Sequence, residues 1–133
     1  MVSKRVKARI LVETDFLFGL SAKDSLHPHV IKLLKRSAEG EFALVISAAS
    51  PLEVALTLVS RGISLDKAIR VLRLMEEGLA RYGAWKYGFL SLGVVTLSLG
   101  LRLKYEPLTF FDSIHLATAK NLDIPSLQAT EYC

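Results

Sequence analysis

Ile10 to Leu20 reads ILVETDFLFGL, with Glu13 and Asp15 breaking an otherwise apolar run. A buried carboxylate is costly unless it is paired or bound to a metal. Three further acids stand at comparable places. Glu53 follows the apolar run FALVIS, Asp112 follows a Leu-Thr-Phe-Phe segment, and Glu131 follows IPSLQA. If these acids meet, they cannot all stay ionised without a cation. A set of oxygen donors suits Mg²⁺ or Mn²⁺.

The surrounding pattern supplies elements that could bring them together. Val6 to Val12 and Phe42 to Ser47 read as buried strands, the first alternating and then continuously apolar. Helices are predicted over His29 to Ala38, Ser50 to Ser60, Ser64 to Arg81, Val94 to Lys104 and Phe110 to Leu122. YGFLSL, Tyr87 to Leu92, reads as a short strand, and IPSLQA as a closing one that admits Pro125 only at its start. Strands alternating with helices predict an α/β class chain: a three-layer α/β/α sandwich around a mostly parallel sheet, with residues 1–133 as one domain. In such a sheet ligands bind beyond the carboxyl ends of the strands. The five acids all fall there.

Two of them have a second reading. Ser50-Pro51-Leu52-Glu53 and Thr109-x-x-Asp112 each have the form of a capping box, in which the acid returns a hydrogen bond to its own helix start. Capping leaves Glu13, Asp15 and Glu131 unexplained, and these could be turn acids. His115, three residues after Asp112, could share its face, as a ligand, an acid–base group or a packed polar residue. Tyr82, Trp85 and Tyr87 around Lys86 could stack bases or cover a core edge.

The motifs carry a resemblance. ILVETDFLFGL resembles the opening strand of PIN-domain nucleases, ISAASPLEVALTL is similar to their second motif, and LTFFDSIHLATAKNLDIPSLQATEY is similar to their third and fourth. Order, spacing and length agree from end to end with this family, which includes the VapC-like toxin ribonucleases of the PilT N-terminus type. The resemblance implies metal-binding, catalytic acids at Glu13, Glu53, Asp112 and Glu131, with Asp15 supporting the metal and hydroxyls at Thr14 and Thr130. It implies Mg²⁺- or Mn²⁺-dependent hydrolysis of single-stranded RNA, with an antitoxin protein as partner. The family usually has Asp where this chain has Glu13 and Glu131. That departure keeps open a second expectation, a catalytically impaired PIN-like module that binds RNA or protein.

Composition bounds the rest. The hydrophobic share is 51% and mean hydropathy +0.36, which predicts apolar surface buried in a homodimer. Gly93 and Gly100, seven apart, could admit a second subunit or pack within the chain. The +4 net charge comes from Lys4, Arg5, Lys7 and Arg9, since the remaining basic and acidic residues balance. With Cys133 as the one cysteine and no signal-peptide pattern, a reducing cytoplasm is expected. The apolar stretch Gly88 to Leu101 would span about 21 Å as a helix, short of the roughly 30 Å bilayer core, so no membrane span is expected.

Overall fold

The computed structural model describes residues 8–83, 85–123 and 126–127. Four strands, β1 (Arg9–Val12), β2 (Ala43–Ile46), β3 (Trp85–Tyr87) and β4 (Ser126–Leu127), form one sheet in the order β3-β2-β1-β4. Every pairing is parallel, with Val12 opposite Ile46 and Leu127, and Ile46 opposite Tyr87. Among the described residues six helices accompany them: α1 (Thr14–Phe18), α2 (His27–Ala38), α3 (Ser50–Ser60), α4 (Leu65–Ala80), α5 (Leu92–Lys104) and α6 (Phe110–Leu122).

Alternation along the strands builds the three layers. Val12, Leu44 and Ile46 enter the larger core, with Phe16 and Leu17 of α1, Val30 and Leu34 of α2, Val54 and Leu58 of α3, and Met75 and Leu79 of α4. Leu11 and Val45 take the opposite face and meet Ala119 of α6. Helix α5 reaches that layer through α6, its Val94 and Leu101 packing with Ile114 and Ala117. Burial on both faces explains why the strands read as unbroken apolar runs.

Several boundaries differ from the sequence reading. Helix α1 has no counterpart there. Helix α2 begins two residues early, at His27, whose Nδ1 lies 3.0 Å from the Gly19 carbonyl. The third strand is Trp85–Tyr87 rather than Tyr87–Leu92, because Trp85 Nε1–H donates to the Leu79 carbonyl at 2.8 Å and anchors the strand's start. Trp85 and Tyr82 pack at the edge of the larger core, which favours the core-edge reading for these two aromatics. Ser91 then caps α5 by accepting from the Val94 N–H at 3.2 Å, so that helix opens at Leu92. The closing strand is described only at Ser126–Leu127.

Gly19 marks a close approach. A Cβ built there would lie 2.4 Å from Val30 Cγ2, so only glycine lets the end of α1 sit against α2.

Candidate functional site

The pocket forms where the strand order reverses. The chain lays β2 and β3 on one side of β1 and β4 on the other, leaving a crevice beyond the carboxyl end of β1. Glu13 follows β1 directly as the N-cap of α1, in extended conformation. Thr14 and Asp15 occupy the first turn of α1, Glu53 the first turn of α3, Asp112 the first turn of α6 and His115 its second. These six residues line one small polar recess of about 90 Å³. The structure thus brings together Glu13, Asp15, Glu53 and Asp112; Glu131 and Thr130 lie outside the described residues.

The capping reading fails for Glu53. The N-cap of α3 is Ala49, and Ser50 is already helical, its buried Oγ without a hydrogen-bond partner among the described residues. Glu53 Oε2 instead accepts from the Thr14 hydroxyl at 2.8 Å. At Asp112 the threonine's half of the capping box is formed. Its backbone N–H donates to Thr109 Oγ1 at 3.2 Å, while the residue still lines the pocket.

His115 is polar core as well as pocket wall. It is 1% exposed, with Nδ1 2.7 Å from Ser47 Oγ, and Nε2 3.4 Å from Thr14 Oγ1 and 3.5 Å from Glu53 Oε2. Ser47, fully buried just past β2, is the serine at the strand end of the second motif, to which the sequence reading gave no role at the site. Its one signal was a hydroxyl closing the apolar run FALVIS.

Negative charge is in excess here. Partial burial pushes the Asp15 carboxyl above its ordinary value, and the charges of Glu53, Asp24 and Asp112 push it further, against a smaller pull from His115. These effects outweigh the favourable place of an acid in a first helical turn. Because the folded state raises this pKa, the penalty is absent below about pH 4, where the unfolded carboxyl is itself protonated. It grows as pH rises from the unfolded toward the folded value and is full above the latter. Asp15→Asn is therefore expected to raise the melting temperature of the metal-free protein at pH 7 by roughly 1–3 °C, a solvent-screened effect. The gap should close at pH 3.5, as calorimetry at the two pH values would register. A variant equally less stable at both would contradict the repulsion.

The donor chemistry, four carboxylates on one recess, suits a hard divalent cation. With the side chains as placed, no three His, Cys, Asp or Glu groups among the described residues are arranged to hold a single ion.

An all-parallel α/β/α sandwich with acids gathered beyond its first strand has the architecture of PIN domains. The fold is that of the VapC-like toxins. Mycobacterium tuberculosis VapC20, described as a Sarcin-Ricin loop cleaving toxin, superposes with a TM-score of 0.62 at 17% identity, covering 86% of this chain and 84% of that one. A toxin–antitoxin complex from Klebsiella pneumoniae superposes with a TM-score of 0.60 at 18% identity, covering 90% and 84%. No protein-family model matches the sequence, and no curated protein does. Among the described residues no helix is long and apolar enough to cross a membrane.

Proposed function

We propose that the chain is a Mg²⁺- or Mn²⁺-dependent endoribonuclease of the toxin kind, hydrolysing phosphodiester bonds of single-stranded RNA. The observation that carries this reading is the convergence of Glu13, Asp15, Glu53 and Asp112 on one recess, on a fold shared with RNA-cleaving toxins. Glu13, Glu53 and Asp112 would hold the ion. Asp15 would support it, and Glu131, which lies outside the described residues, would complete the set that the resemblance implies. The bound ion would supply activation of water and neutralisation of charge on the leaving oxygen. The protein's own part is to fix the acids: Thr14 holds one oxygen of Glu53, and Thr109 holds the start of the helix that carries Asp112.

Adding Mn²⁺ is expected to raise the melting temperature, since an ion bound to the native state alone stabilises it. Asp112→Asn should lose most of that rise, and RNA cleavage should require the ion. An equal rise in both proteins would remove the proposed site. Glu13 in place of the family's usual Asp, with the side-chain placement above, favours a second reading, a PIN-like binding module. Wild type that binds RNA without cleaving it under either metal would establish that alternative.

Partners follow the same reading. A structural neighbour solved as a toxin–antitoxin complex supports an antitoxin here. A homodimer is supported by α5, where Leu92 and Leu103 are 88% and 90% exposed and Leu99 is exposed beside them. A Cβ at Gly100 would meet nothing within 4 Å among the described residues, which leaves that face open to a second subunit. Light scattering at micromolar concentration is expected to give twice the chain mass, and Leu103→Glu to shift it toward the monomer. A wild-type monomer would contradict the dimer. The cytoplasm is the compartment in which such a nuclease would meet its RNA.

A further inference from the structure

The hydrogen bonds around His115 can be read for direction, and the direction assigns its tautomer. Thr14 has one hydroxyl hydrogen, and it goes to Glu53 Oε2 at 2.8 Å. Among the described residues, the two atoms facing His115 Nε2 are then acceptors: Thr14 Oγ1 at 3.4 Å and Glu53 Oε2 at 3.5 Å. A bare lone pair at Nε2 would be repelled by both, so Nε2 carries the hydrogen, with Thr14 Oγ1 as its hydrogen-bond partner and the Glu53 carboxylate in electrostatic contact. In the neutral ring Nδ1 is then the acceptor, and the Ser47 hydroxyl donates to it at 2.7 Å. His115, Ser47 and Thr14 are all buried, where a mismatched donor or acceptor is most costly.

We propose that Ser47 and His115 are positioning residues for Glu53. When the ring is neutral Ser47 holds it as the Nε2–H tautomer, and that hydrogen, with the Thr14 hydroxyl, sets where the Glu53 carboxylate stands in the recess. Ser47 is not among the residues that line the recess, yet it governs one of the acids. In this arrangement the neutral ring offers Nε2 as a donor, so His115 orients a metal-binding acid and is not itself a ligand. The consequence for metal affinity rests on the function proposed above; the tautomer does not.

Nitrogen-15 NMR of the imidazole rings at pH 8, with the metal-free protein, reads the tautomer directly. The His115 signal is expected to show a protonated Nε2 and a bare Nδ1. Ser47→Ala removes only a hydroxyl and frees the ring, so a mixed or Nδ1–H signature is expected, with Mn²⁺ binding by calorimetry weaker by about 10- to 100-fold. Ser47→Thr keeps the hydroxyl and should restore both readouts. His115→Gln, which retains a donor near Nε2, should bind Mn²⁺ more tightly than His115→Leu. An Nδ1–H ring in wild type would overturn the proposal, as would a Ser47→Ala protein with the wild-type signature and affinity. If wild type takes up no Mn²⁺ while the ring still changes in Ser47→Ala, the metal reading fails and the tautomer assignment is upheld.

Discussion

Glu53→Gln is expected to abolish both the Mn²⁺-dependent rise in melting temperature and the cleavage of single-stranded RNA. The substitution preserves shape and removes a charge. Thr14 donates to Oε2, and His115 Nε2 faces the same oxygen, so an amide at this position must turn its carbonyl toward them. Its NH₂ then takes the place of the other carboxylate oxygen, presenting a donor where an ion needs an acceptor. The expected loss of Mn²⁺ affinity exceeds about 100-fold, beyond the roughly 10- to 100-fold typical of residues that only support a ligand. Without metal the variant should fold as well as wild type, because it also relieves one of the charges that oppose Asp15. Calorimetric titration with Mn²⁺, beside a cleavage assay, separates these effects. A variant that binds Mn²⁺ like wild type would remove Glu53 from the site while leaving the fold untouched.

Phe16→Ala is expected to be the most destabilising of the substitutions considered, by about 3–5 kcal/mol. Phe16 is fully buried and heads the largest side chains of the core. It sits one residue after Asp15 in α1, a helix of five residues. A helix that short does not hold itself, since nucleation costs more than its few hydrogen bonds return. Phe16 and Leu17 therefore anchor α1, and through it Thr14 and Asp15, to the layer formed by α2, α3 and α4. Against a typical stability of about 5–15 kcal/mol, the loss should bring the urea midpoint close to zero or well below that of wild type. Phe16→Leu keeps most of the volume and should cost about 1.5 kcal/mol or less. If Phe16→Ala unfolded at the wild-type urea concentration, α1 would not be part of the cooperative core.

Local pattern alone placed most of this architecture. The runs Ile10–Val12 and Phe42–Ile46 are continuously apolar because a parallel sheet covered on both faces buries every residue, and that pattern survives in the one-dimensional text. The long helices announced themselves through their periodicity and through Ser64 and Thr109, whose caps are formed. The acids were legible for a related reason: Glu13, Glu53 and Asp112 each follow an apolar stretch, and parallel topology brings such positions to one sheet end. Short elements were not legible. Five residues of α1 carry too little periodicity to distinguish a helical turn from a continuing strand, and only the burial of Phe16 and Leu17 decides for the helix. The role of Glu53 was likewise undetermined, because Ser-Pro-Leu-Glu satisfies the capping pattern and tertiary contact overrides it: Thr14, 39 positions away, offers the hydrogen bond that the helix start does not take up. His115 shows the limit most clearly. Its spacing from Asp112 placed it near the acids, but its hydrogen-bond partners lie 68 and 101 positions distant, and directionality arises only when α1, the end of β2 and α6 are packed together. Residue type and spacing determined which groups reach the end of the sheet; three-dimensional packing decided which donor each acceptor meets, because a hydrogen bond depends on contact across the fold and leaves no periodic trace along the chain.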